Sequence, residues 1–325
     1  MAEQFIHKYV LEFSQPVSFY EVNPIVPVTD ELAGSPDYRT GTNRYLEQNT
    51  NGIVKLANHN MSFSVTKGKD ASSDTNITIY NISDTVRKFL EQNNGKKPNI
   101  LLKAGYETDK ELPIIFAGEV ILVVDIFDGN TRKTSLTCAS GTNAIQEAYS
   151  AKAYRAGTKL SDIFMQFVKD MKLPEGTISF PTPMTEVNKK PIVYTGSTIE
   201  FLRKFAKEND MRVWIEDGLI NAAPNDLINV SYAKAFEINS DMNMIGAPSV
   251  ETADSGQSEQ SSGNRQNVTV TTTLNGAYTI GAKVKLKSKY HTGVYEIESV
   301  THQGTYEGSD WSSSLGLKPV DGWEK

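Results

Sequence analysis

The sequence predicts a mainly β protein with α+β content: two β-barrel domains, residues 1–150 and 226–325, flank a small α+β middle domain, residues 151–225. Three observations carry this expectation. Strand-period alternation of apolar and polar residues recurs at both ends of the chain. Two amphipathic helical runs fall close together in the middle. The strands within residues 76–124 hold more apolar surface than they can bury by themselves, so they belong to a barrel or sandwich. A length of 325 residues suits two or three such domains.

Residues 4–13 alternate Phe5, His7, Tyr9, Leu11 and Phe13 against Ile6, Lys8, Val10 and Glu12, giving a first strand with an aromatic-rich face. Residues 14–52, bent by Pro16, Pro24 and Pro27, read as a long loop, a length that in a compact domain usually marks function or partial disorder. Residues 52–66 return to alternation through Met61, Phe63 and Val65 as a second strand, and 67–75 read as a tight polar turn. Residues 76–124 are the organising stretch. Ile77 and Ile79 mark a strand; Ser83 caps a helix over 84–92, with Val86, Phe89 and Leu90 on one face. Asn93, Asn94, Gly95 and Pro98 stop that helix. Ile100, Leu102 and Ala104 form the next strand, 107–111 a hairpin tip, and 114–124 a strand that is apolar on both sides. The sequence Phe127-Asp128-Gly129-Asn130 is a hairpin signal, with 131–139 as the return strand.

Residues 143–149 read as one or two helical turns. Thr158 is placed as the cap of an amphipathic helix over 159–172, whose inner face is Ile163, Phe164, Phe167, Val168 and Met171. A strand over 177–180 follows. Ser197 and Glu200 have capping-box spacing ahead of a helix over 198–209 that buries Ile199, Leu202, Phe205 and Ala206. Residues 211–215 and 219–221 are strands joined by Glu216-Asp217-Gly218. These two helix–strand units suggest a weak duplication within 156–223. Residues 224–262 carry little pattern, and 251–264, rich in Ser, Gln, Asp and Gly, read as a solvated loop. Residues 267–274, 278–289 and 294–300 alternate again, with 291–293 as a turn, and a Gly- and Trp-containing segment follows.

Composition excludes several classes. A net charge of −6 argues against nonspecific binding to nucleic acid or anionic membrane. One cysteine, Cys138, rules out an intrachain disulfide and any Cys-rich zinc site, and its alternation with Leu136 makes it a buried small hydrophobe. No basic stretch leading into an apolar one opens the chain, and no apolar run approaches ~18 residues, so neither a signal peptide nor a membrane span is expected, and synthesis in the cytoplasm is. The chain lacks the HExxH, GxSxG, Walker and dinucleotide motifs. His7, His59, His291 and His302 show no convergent metal spacing. Glu216 and Asp217 read as a turn, not as a catalytic carboxylate pair. Tyr106, Tyr278, Tyr290, Tyr295 and Tyr306 read as packing aromatics in preference to a sugar platform, and the lysines of 283–289 as the solvated face of a two-sided strand. No catalytic, cofactor-binding or metal residues are therefore expected, and no enzyme.

The order of three short motifs resembles the first barrel of the tail hub proteins of contractile-tailed bacteriophages. They are Asn81-Ile82-Ser83, Leu102-Lys103-Ala104-Gly105-Tyr106 and Ile115-Phe116-Ala117-Gly118-Glu119-Val120. The units at 158–180 and 196–220 look like that family's middle domain. Ile245-Gly246-Ala247-Pro248, 281–286, 293–300, His302 and 308–311 are similar to its second barrel. The hub portion of type VI secretion spike proteins is related. The resemblance implies a structural baseplate hub in the virion, assembled in the host cytoplasm: a homotrimeric ring adapting a sixfold tail tube to a threefold spike. DNA would pass the bore during ejection. Partners would be the central spike, the tail tube or a tube initiator, and baseplate wedge proteins, with no sequence-specific nucleic acid. The loops at 14–52 and 251–264 depart from the family pattern and are expected to reach outward to partners. A cell-wall-degrading or carbohydrate-binding tail component is the alternative.

Overall fold

A computed structural model describes residues 6–14, 46–50, 53–68, 74–91, 97–129, 131–225, 235–250, 267–289 and 291–320. The protein is mainly β. The N-terminal part carries β1 (His7–Ser14), β2 (Leu46–Thr50), β3 (Ile53–Ala57), β4 (Met61–Gly68), β5 (Asp74–Tyr80), α1 (Asp84–Glu91), β6 (Asn99–Tyr106), β7 (Ile114–Asp128) and β8 (Thr131–Ala139). The middle carries α2 (Thr142–Glu147), β9 (Tyr149–Tyr154), α3 (Leu160–Asp170), β10 (Glu175–Ile178), β11 (Ile192–Ser197), α4 (Thr198–Glu208), β12 (Met211–Glu216) and β13 (Leu219–Pro224). The C-terminal part carries β14 (Phe236–Asn239), β15 (Met244–Val250), β16 (Val268–Thr273), β17 (Lys283–Lys287), β18 (Thr292–Thr305) and β19 (Trp311–Pro319).

The two outer parts share one 14-stranded ladder, in the order β15-β16-β19-β18-β4-β5-β8-β7-β6-β1-β3-β2, with β17 also on β18 and β14 on β17. The joint is β18, which pairs β19 along most of its length and β4 from Ser299↔Gly68 to Thr305↔Ser62. Among the described residues the ladder does not close on itself. It does feed two separate cores. One gathers Leu11, Leu56, Val65, Ile77, Leu102 and Leu136, with Val86 and Leu90 of α1. The other gathers Val270, Val284, Ile297, Val300 and Leu315. A third core, around Phe164, Phe167, Leu202 and Phe205, lies between α3, α4 and the small sheets β10-β13-β12 and β11-β9. Phe167 stacks on Phe201 at 3.7 Å between ring centroids.

Much of the local expectation holds. Ser83 Oγ accepts from the Val86 N–H at 3.3 Å at the start of α1. Asp128 pairs Thr131 at the expected hairpin, with Gly129 at φ 59°. Cys138 is buried. The inner faces of α3 and α4 contain every residue expected there.

Several expectations need correction. The second strand is two strands, β3 and β4, separated at Asn58 (φ 63°), and they pair with different partners. Near the end of the expected long loop lies β2, which pairs β3 from Leu46↔Ala57 to Thr50↔Ile53. Lys67 belongs to β4 and not to a turn. Thr158 does not cap α3; its Oγ1 donates to the Arg155 carbonyl, and the N-cap position is Lys159. Ser197 occupies the N-cap of α4 but makes no capping bond with its side chain. Strands β9, β11, β14 and β15 arise where no strand was expected. Of the loop expected at 14–52, residues 15–45 and 51–52 lie outside the described residues, as do the loop expected at 251–264 and Tyr290.

Candidate assembly interface

Two features stand out as sites: an exposed apolar edge and a buried charged junction. The edge belongs to β7. It pairs β6 only as far as Asn99↔Glu119 and β8 from Glu119 onward. Beyond Glu119 its far edge therefore has no strand partner among the described residues. That segment carries Ile121, Leu122, Val124, Ile126 and Phe127, the last 65% exposed. An unpaired edge lined with large apolar side chains is a template for another chain. Its tip is held in shape. Arg132 lies 4.9 Å over the Phe127 ring and donates to Asp84 Oδ1 at 2.7 Å. That hydrogen bond, with the charge of Arg132, holds the Asp84 carboxyl below its usual value. Thr134 Oγ1 donates to Asp125 Oδ1 at 2.6 Å. At the opposite end of the same run of strands, β15 pairs only β16 and exposes Ile245, beside exposed Met242.

The junction joins the middle unit to the ladder. Lys67, on the inner face of β4, is 2% exposed; its Nζ donates to Asp217 Oδ2 at 2.5 Å and lies 3.8 Å from Glu216 Oε1. Asp217 Oδ1 also accepts from the Ala117 N–H of β7 at 3.1 Å, and Ser140 Oγ accepts from the Gly218 N–H at 2.7 Å. The expected turn at Glu216-Asp217-Gly218 is real, with φ of 50° at Asp217 and 76° at Gly218, but its side chains lock two units together. Burial pushes the Glu216 carboxyl up, while Lys67 pulls it down. Burial likewise raises Glu119, against bonds from the start of α2. Close by on β18, His302 is fully buried, its Nδ1 2.9 Å from Ser313 Oγ. Burial, and then the charge of Lys67, pushes this imidazole down to about 3.

Residues expected to be inert are packed as such. Tyr106 accepts from the Leu274 N–H at 3.1 Å, Tyr306 donates to Asn58 Oδ1 at 3.2 Å, and Tyr278 and Tyr295 are buried. Among the described residues no cluster of His, Cys, Asp and Glu has the form of a metal site, and no helix is long and apolar enough to cross a membrane. Of the lysine face expected to be solvated, Lys285, Lys287 and Lys289 are exposed, but Lys283 is 4% exposed and donates to the equally buried Glu296 at 2.7 Å. Lys67 was also missed. Its signal was parity, since it follows Phe63 and Val65 at strand spacing on the buried side.

The fold is that of phage tail proteins. It is similar to a tail protein from Neisseria meningitidis MC58 (TM-score 0.58, 11% identity, covering 85% of this chain and 97% of that one). The 43 kDa tail protein of prophage MuSo2 from Shewanella oneidensis matches over the same shares, with TM-score 0.56 and 10% identity. An E. coli component of the type VI secretion system, described as structurally similar to T4 tail proteins gp27 and gp5, matches at TM-score 0.55 and 9% identity, over 81% of this chain and 74% of that one. A search of curated proteins by sequence gives no match. The family model for the baseplate hub gp41 matches residues 54–307, and the chain belongs to that family. It is a structural protein of the phage tail baseplate, and its place is the virion.

Proposed function

We propose that three copies of this chain form a closed ring that adapts a sixfold tail tube to a threefold central spike and surrounds the DNA path. In this reading each of the two outer cores is the interior of one barrel, so that three chains supply six barrels. The units are 1–150, 151–225 and 226–325, and the ring contacts the spike, the tube or its initiator, and the wedge proteins. Assembly would take place in the host cytoplasm, without sequence-specific contact to nucleic acid.

The observation that carries the reading is the pair of unpartnered edges. One run of eight strands, β15-β16-β19-β18-β4-β5-β8-β7, ends in exposed apolar residues on both sides. Two different edges on one chain make a head-to-tail contact, and such contacts close into rings when the rotation per copy fits. The lock between Lys67 and Asp217 favours the same reading, because it fixes the middle unit against the ladder. Membership of a structural hub family supports a role without catalysis over the cell-wall-degrading or carbohydrate-binding alternatives.

The test is the oligomeric state of the purified full chain, by light scattering and by axial views in the electron microscope. A trimer with threefold averages is expected. The pair Val124→Asp/Ile126→Asp, on exposed positions, should give a folded monomer. A monomeric parent, or a variant that still forms threefold rings, would refute the assignment.

A further inference from the structure

The face of the ladder opposite its cores has an unusual composition. Buried and outward positions alternate along β4, β5 and β16, along β8 from Thr134 to Cys138, along β18 from Ser299 to Thr305 and along β19 from Trp311 to Lys318. Register aligns the outward residues into rows. One row runs Thr137, Asn76, Ser64, Gln303, Ser312, Thr273. A second runs Ser135, Thr78, Ser62, Thr305. A third runs Thr66, Thr301, Ser314, Thr271. None of these residues is charged and none is large and apolar. Neighbours bond to one another: Thr66 to Thr301, Thr78 to Ser135, and Thr137 to Asn76, each at 3.4 Å. Charged residues stand outside these rows, at Lys133 of β8, at Lys318 of β19 and at Glu296 and Glu298 around the irregularity in β18.

A free protein surface normally carries about 25–35% charged residues. Chance does not readily align three uncharged rows across as many as six adjacent strands, particularly strands from two ends of the chain. The remaining elements explain where this face points. Val86 and Leu90 of α1, Leu11 of β1, Leu56 of β3 and Val284 of β17 all pack on the other side of the ladder. The middle unit docks there too, through Lys67. In a ring closed edge to edge, that bulk needs the larger radius, so the bare face turns toward the axis. The apolar residues Leu122, Val124 and Ile126 at one margin of this face, and Ile245 at the other, then fall at the seams between copies.

We infer that the Ser/Thr/Asn/Gln face lines the bore and is a non-adhesive wall for duplex DNA. This rests on the ring proposed above and assigns the surface that meets the nucleic acid. Affinity for DNA comes mostly from cations that neutralise phosphates and release counterions. Rows without Lys or Arg offer no such sites. Rows without carboxylates do not repel the polymer, and small hydroxyls keep the surface wet without a large apolar group for bases to stack on.

Two measurements on the full-length oligomer test the inference. The first labels a Gln303→Cys variant with a gold cluster; native Cys138 is buried and does not compete. Label density on the threefold axis is expected. Density at the perimeter of intact rings overturns this assignment and leaves the ring standing, whereas an absence of rings overturns both. The second compares binding of linear duplex DNA by the parent and by Thr301→Lys/Gln303→Lys. The parent should not bind at low salt. The variant, with two new cations per chain and six per trimer, should bind, and its affinity should fall about 10³-fold between roughly 50 and 200 mM salt. Tight binding by the parent, or none by an assembled variant, refutes the inference. If the lysines block assembly while Thr301→Ser/Gln303→Asn permits it, the face is a protein contact and the inference also fails.

Discussion

Replacing His302 by Gln should flatten the acid limb of the stability profile. The imidazole is fully buried and held neutral, with its folded value pushed to about 3 against 6.5 for the ordinary group. In the unfolded chain it takes up a proton once the pH drops below 6.5, while the folded chain does not. The unfolded state then binds more protons, so stability rises with pH. The contribution is fully present above 6.5 and is lost progressively as the pH falls toward 3. Each unit in that window is worth about 1.4 kcal/mol, so acidification from about pH 7.5 to about pH 5 costs about 2 kcal/mol through this residue alone. Glu119 and Glu216, both raised by burial, act in the opposite direction: their proton uptake on folding adds stability as the pH falls. They are common to parent and variant and cancel in the difference. Gln is neutral throughout and can still bond Ser313 Oγ. Urea unfolding followed by tryptophan fluorescence at both pH values is the assay, and the parent should lose about 2 kcal/mol more than His302→Gln. A gap between the two proteins that is the same at both pH values would show that the imidazole is not held neutral.

Asp217→Asn tests the junction. Asn tolerates the positive φ at this position but opposes Lys67 with an amide, leaving Glu216 at 3.8 Å as the remaining counter-charge. With Asp217 partly exposed, the loss should be about 2–3 kcal/mol, below the range for removing one member of a fully buried pair, and read from the unfolding midpoint reported by nearby Trp214. Lys283→Met leaves buried Glu296 without its cation and should cost about 3–5 kcal/mol, whereas Lys283→Met/Glu296→Leu should recover most of it. A double variant no more stable than the single in denaturant unfolding would contradict that account.

How much of this could be read in the sequence differs by kind of feature. Local signals were legible wherever one interaction decides the outcome. Ser83 ahead of α1, the hairpin signal at Asp128-Gly129 and the apolar faces of α3 and α4 are examples. Thr158 and Ser197 have the right residue type for caps, but competing local bonds and backbone placement decide whether the hydroxyl reaches an amide. Short strands such as β9, β11, β14 and β15 have few alternating positions, and their partners are distant, so periodicity alone does not reveal them. Lys67 and Lys283 read as polar because composition says nothing about a carboxylate arriving from another segment.

The candidate surfaces divide the same way. The doubly apolar β7 was visible as a pattern of side chains, and the threonines of β16 as an alternation with valine. That Thr271 lies in one row with Ser314, Thr301 and Thr66 was not. Alternation determines which side of a strand faces inward, because successive side chains must point to opposite faces. It does not determine which strand lies beside it, because backbone hydrogen bonds are the same for every pair. The sequence by itself therefore determined the elements and their inward faces. Only the tertiary structure, by joining β4 to β18, decided that two ends of the chain share one ladder, one set of uncharged rows and two apolar edges.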